Sequence, residues 1–161
     1  MPHRPIVERK RKFLVVIDDT TECRKAMRFA SGRASHVEGG ELILFHVLPD
    51  VEFQHWMGVA DRMKEEAVEQ AEEMVGKFAD EVFDYCGVKA EIVIREGNHR
   101  EELEKYVAEA DDLFALFLGA CSEGDVGPLV HYFAGELVGH LKCPVVVVPG
   151  GLDDSLIDEL V

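Results

Sequence analysis

The chain has 161 residues, a mass of 18.0 kDa, 47% apolar and 30% charged residues, and a formal net charge of −15. A domain of this size buries roughly 70% of its extended-chain surface, needs no disulfide or metal staple, and is too apolar for a disordered tail. No stretch approaches the ~20 apolar residues of a membrane span, no secretory leader is evident, and so acidic a body repels nucleic acid and anionic lipid; the expected compartment is the cytoplasm.

The charge is lopsided. Arg4, Arg9, Lys10, Arg11 and Lys12 face only Glu8 near the start, so residues 1–12 form a basic N-terminal arm and the remainder is more acidic still. The α/β domain is expected over 13–150 and an acidic amphipathic tail over 151–161. Cys23, Cys86, Cys121 and Cys143 show no C-x-x-C spacing and no neighbouring His at ligand distance, so reduced, packed thiols are expected, with no metal site.

Phe13–Ile17 is an apolar run with β-branched content, ending at Asp18-Asp19-Thr20-Thr21, where Asp19 or Thr20 suits a helix cap. Cys23, Ala26, Met27, Ala30 and Ala34 then recur at helical spacing until Gly39-Gly40. Leu42–Val47 is a second buried strand, stopped by Pro49. The spacing predicts a long helix over 56–84, with Met63, Ala67, Ala71, Met74, Val75, Phe78 and Val82 on its apolar face and Glu65, Glu66, Glu69, Glu72 and Glu73 on a solvated one. Glu91–Ile94 is a third strand, closed by Gly97-Asn98, and a short helix follows from Arg100 to about Ala110. Leu113–Leu118 is a fourth strand ending in Gly119. Gly127-Pro128 opens a helix lined by Leu129, Phe133, Leu137, Val138 and Leu141. Val145–Val148 is a fifth strand between Pro144 and Pro149.

Strands and helices alternate, and the strands are continuous apolar runs, as they are when helices cover both faces. The fold class is α/β, a doubly wound, five-stranded and mostly parallel sheet. In such sheets the ligand crevice opens beyond the carboxyl ends of strands where the winding reverses. Two strand ends draw attention. Ile17-Asp18 carries a carboxylate suited to ribose hydroxyls or an adenine amine. Leu118-Gly119, running on to Gly127, is a glycine-bearing loop that can show backbone N–H groups to phosphate.

Over residues 11–149 the chain resembles the universal stress protein family. The resemblance is carried by Lys12-Phe-Leu-Val-Val-Ile-Asp18, Phe45-His46-Val47, Gly97, Leu118-Gly119 and Cys143-Pro-Val-Val-Val-Val148. It implies the strand order 3-2-1-4-5 and, for many members, ATP or AMP as ligand. Carried over by position, the family's nucleotide contacts are Asp18, Val47 and Gly119; Ile17, Leu118, Ser122, Gly124, Gly127 and His131 are the further candidates around them, Gly124 and Gly127 being displaced downstream of the motif's second glycine. The family motif is Gly, two residues, Gly, nine residues, then Gly followed by Ser or Thr. Here Ser122 stands at the second glycine, and His131-Tyr132-Phe133 falls near the final pair. Bulky Tyr132 or Phe133 would obstruct a triphosphate, and Glu123 and Asp125 would repel it. These departures argue against tight ATP binding. Arg100 and Lys142 are the candidate cations at the mouth.

The resemblance points to a stress-response module acting by protein contact, with no catalytic residue. His46 and His55 read as packing or surface residues. A nucleotide-hydrolysing enzyme of the same fold would use Asp18 and Asp19 for Mg²⁺, but the loop brings no cation. A phosphoacceptor receiver domain would need an Asp ending the third strand, where Arg95-Glu96 stands instead. The family pairs as homodimers, and Val145, Val146, Val147 and Val148 form the edge expected to do so. In the tail, Leu152, Leu156, Ile157 and Leu160 are spaced as an amphipathic helix that packs on a protomer or partner.

Overall fold

A computed structural model describes residues 9–49 and 57–161. Most of the basic arm, and His55, lie outside the described residues. Among the described residues no helix is long and apolar enough to cross a membrane.

The elements run β1 (Lys12–Val16), α1 (Thr21–Ser35), β2 (Glu41–Leu48), α2 (Met57–Cys86), β3 (Ala90–Glu96), α3 (His99–Glu109), β4 (Leu113–Ala120), α4 (Pro128–His131), β5 (Val145–Pro149) and α5 (Asp154–Leu160). The sheet order is β3-β2-β1-β4-β5 and every pairing is parallel, so the sheet is wholly rather than mostly parallel. In the register, Val15 lies between Leu44 and Phe117.

Side chains alternate across each strand, and both faces are dry. Phe13, Val15, Leu42, Leu44 and Phe117 pack against Ala26, Ala30, Val75 and Phe78 of α1 and α2. Leu14, Ile43, Phe45, Leu116 and Leu118 pack on the opposite face against Leu103 and Val107 of α3 and against Phe133. The cap of α1 is Thr20, whose Oγ1 accepts from Cys23 N at 3.2 Å; Asp18 accepts in turn from the Thr20 N–H at 3.0 Å and from its hydroxyl.

Two expectations are corrected and a third is narrowed. In α2, Ala71, Val75, Phe78 and Val82 are buried as spaced, but Met63 is 44% exposed. The helix has 30 residues and spans about 45 Å, and Lys64 already meets Glu96 at the end of β3. The turns before it outrun the sheet.

The segment after Pro128 is not one helix. It breaks into the four-residue α4, a π turn over Tyr132–Glu136 marked by Leu137 N donating to Tyr132 O at 2.9 Å, and a 3-10 turn over Val138–His140. Gly135 and Gly139 weaken regular helix there, and Val138 is left 44% exposed.

In the tail, Ile157 is fully buried, whereas Leu156 and Leu160 are exposed. The helix docks on its own chain. Arg28 makes a two-point bond to Asp158 at 2.9 and 2.7 Å, the Tyr85 hydroxyl donates to the same carboxylate, and Lys25 meets Asp154 at 2.9 Å.

These bonds from Arg28, then from Tyr85, hold the Asp158 carboxyl below its ordinary range. A carboxyl whose folded-state pKa is depressed contributes stability above its unfolded pKa, and the contribution is lost as pH falls through the folded value. Hydrogen-exchange protection of residues 152–161 should therefore hold steady from pH 7 to 5 and fall below about pH 4. Asp158→Asn should loosen α5 at neutral pH and flatten that acid response.

Candidate functional site

β1 and β4 lie side by side, and the chain leaves them toward opposite faces, α1 following β1 on one side. A crevice opens above their carboxyl ends for that reason. It is a cleft of about 600 Å³, within the ~300–1,000 Å³ range of small-molecule sites. The turn Asp18–Thr20 forms one wall, Leu118 and Gly119 the floor, Gly127–Val130 a second wall, and Asn98–Glu101 at the start of α3 a third.

Gly119 is where the fold demands glycine. A Cβ there would lie 2.2 Å from the Glu22 carbonyl oxygen, because the first turn of α1 presses on the end of β4. The small faces of Ala26 and Ala30, both fully buried, allow that approach.

Of the sequence-predicted site residues, Asp18, Leu118, Gly119 and Gly127 come together on the cleft. Ile17 is 1% exposed and sits in the core; its carbonyl accepts from His46 Nδ1 at 2.6 Å. Val47 is also buried, on the same sheet face as Ile43 and Phe45. Ser122 and Gly124 on the loop and His131 at the end of α4 are exposed, outside the described cleft walls. Lys142 is far from the mouth in topology, since it meets Asp111 just before β4, at the amino end of the sheet.

Tyr132 and Phe133 do not obstruct the loop as expected. Phe133 is fully buried, and Tyr132 turns toward α3. Asp125 Oδ1 accepts from Gly127 N at 3.0 Å and pairs with His131 Nε2 at 2.6 Å. Those two bonds hold the Asp125 carboxyl below its usual range, the Gly127 amide first.

Arg100, a candidate cation in the sequence, does line the cleft, and Asn98 and Glu101 are the cleft residues that the sequence reading left out. Asn98 caps α3, its Oδ1 accepting from Arg100 N at 3.0 Å and Glu101 N at 3.1 Å. The local signal, Gly97-Asn98, announces a helix start and says nothing of a cleft. Proximity comes from the crossover from β3, an edge strand, past β2 and β1 to β4.

Cys23 also borders the cleft. Burial pushes its thiol up to about 12. It donates to the Val16 carbonyl and accepts from the Asp18 N–H at 3.3 Å. A thiol this far from ionising is a turn brace rather than a nucleophile at pH 7. Among the described residues no group of three or more His, Cys, Asp or Glu side chains is arranged to hold a metal ion.

A family model, that of the universal stress protein family, matches residues 10–149. The chain belongs to the universal stress protein family. Comparison with curated proteins yields no match. Among solved structures, universal stress protein UspA from Lactobacillus plantarum is 18% identical with a TM-score of 0.68, the likeness covering 88% of this chain and 99% of that one. The universal stress protein from Archaeoglobus fulgidus in complex with dAMP is 19% identical, covers 86% and 97%, and has a TM-score of 0.55. A universal stress protein family member from Arabidopsis thaliana with AMP bound is 18% identical, covers 86% and 91%, and has a TM-score of 0.56. At these identities the likeness establishes the fold. In this universal stress protein, α5 follows the matched segment.

Proposed function

We propose that this universal stress protein is a non-hydrolytic stress-response module that binds an adenine nucleotide between β1 and β4 and acts through protein contact. The observation that carries the reading is the cleft at the switch point, with the Asp18 carboxylate on one wall and α3 on the other. Two relatives of the same fold hold dAMP and AMP. Against turnover, Asp18 is already engaged by the Thr20 N–H and hydroxyl, and Cys23 is a neutral thiol.

The contact surface in this reading includes the edge of β5, along which two copies pair as a homodimer. Val147 is 37% exposed, and Val145 and Val146 are half-buried. Val148 faces the core at 2% exposure, so it offers the partner backbone only. An edge strand of this kind presents unpaired N–H and C=O groups to a second copy.

Calorimetric titration tests the nucleotide half. AMP should bind, and Asp18→Ala should weaken it about 10–100-fold, the worth of one hydrogen bond to a charged group. A flat trace with AMP, ADP and ATP would defeat it. A monomeric mass in sedimentation would defeat the dimer.

A further inference from the structure

Resting on the nucleotide reading above, we propose that the cleft selects a nucleoside monophosphate over a triphosphate, with Arg100 receiving the phosphate and Asp125 closing the glycine loop.

Arg100 is the one Arg or Lys on the described walls of the cleft. Its guanidinium carbon lies 4.1 Å over the Tyr132 ring. That ring is itself held, because the Tyr132 hydroxyl donates to Glu104 Oε2 at 2.7 Å. Arg100 and Glu104 are one turn apart on α3, so cation and platform are fixed from the same helix. Stacking uses the face of a guanidinium and leaves its N–H edge for a ligand. Among the described residues Arg100 enters no ion pair, although carboxylates stand nearby in sequence at Glu101, Glu102 and Glu104. A guanidinium with no ion pair among the described residues, on a residue that lines the cleft, can match two oxygens of a single phosphate.

Two amides at the start of α3 do not compete for this role. The Arg100 and Glu101 amides are already satisfied by Asn98 Oδ1.

The glycine loop is occupied from within. The Gly127 amide, which borders the cleft, donates to the Asp125 carboxylate, and His131 lies on the same carboxylate. That amide is thus spent on an internal anion. A chain of phosphates running from Arg100 toward that loop meets negative charge at Asp125. Asp18, Glu22 and Glu101 on the walls add to it. One phosphate is neutralised by Arg100, and further ones find no second Arg or Lys on the described walls.

The test is calorimetry of adenosine, AMP and ATP against the wild-type chain, Arg100→Gln and Asp125→Ala, adenosine binding reporting an intact cleft in each variant. AMP should exceed adenosine by about 10-fold, a charge-assisted pair at a partly exposed site, and ATP should fall about 10-fold or more below AMP. Arg100→Gln should erase the advantage of AMP over adenosine. Asp125→Ala should raise the ATP-to-AMP affinity ratio about 10-fold. ATP binding as tightly as AMP to the wild type, with adenosine bound, overturns the selection while the nucleotide reading stands. So does an AMP advantage that survives Arg100→Gln. Failure of adenosine, AMP and ATP alike overturns the nucleotide reading and the selection with it.

Discussion

Replacing Gly119 with alanine should destabilise the protein by about 3 kcal/mol, the upper part of the usual overpacking range. The added Cβ would stand 2.2 Å from Glu22 O, 2.4 Å from Glu22 C and 3.0 Å from Cys23 N. All three are backbone atoms of the α1 start, so no side chain can rotate away. Relief requires α1 to retreat from β4, opening the contact made by Ala26 and Ala30 in the core. Gly150 is caught in the same vice, since a Cβ there would lie 2.7 Å from Ala120 O and 2.8 Å from Glu22 Cβ. For a chain of this length the loss corresponds to a melting temperature lower by about 6–12 °C. Thermal denaturation followed by circular dichroism checks it. A shift under about 2 °C would mean that the helix accommodates the methyl group and that this glycine serves the ligand alone.

Phe133→Ala should cost about 3–5 kcal/mol, the range for emptying a buried aromatic site. Phe133 is fully buried among Leu103, Val107, Leu116 and Leu118. It meets Tyr132 edge-to-face, with ring centroids 5.1 Å apart. It is also the buried residue within the π turn, so it anchors a segment that has little regular hydrogen bonding of its own. Losing it frees Tyr132 and, through it, the platform under Arg100. Urea denaturation gives the stability change. A cost below about 1 kcal/mol would place the anchor of this segment elsewhere, since so small a loss does not fit an emptied aromatic site.

The stress-protein motif places glycines and a small-residue pair where a phosphate chain would run, and this chain departs from it at Ser122 and around His131-Tyr132-Phe133. The departure is visible in the sequence, but its consequence is not. The expected obstruction by Tyr132 and Phe133 does not occur, because the π turn carries one ring into the core and the other onto Arg100. The expected repulsion by Asp125 takes a different form: the carboxylate holds the Gly127 amide directly.

Other residues divide on the same line. Val47 and Ile17 sit next to the cleft in sequence, yet strand alternation turns both side chains into the core. Ile157 in the tail was legible as apolar at helical spacing. That Leu156 and Leu160 stay in solvent follows from the angle at which Arg28, Lys25 and Tyr85 hold the helix against α1 and α2.

Length and charge bounded the chain to one acidic domain, and local patterns then determined most of the fold. Five apolar runs, the caps at Thr20 and Asn98, and the period of α1 and α3 depend on residues within a few positions of one another, which sequence displays directly. The parallel order fixed where a cleft must open. Which groups face that cleft was decided only by the tertiary structure. Arg100 reaches it because the crossover between β3 and β4 passes two strands, and Gly127 is spent because the loop folds Asp125 back on it. Arg100's place depends on where separate segments meet in space, which no local pattern of residue types encodes, whereas Asp125 reaches the Gly127 amide only two residues on, a local turn that the sequence itself carries.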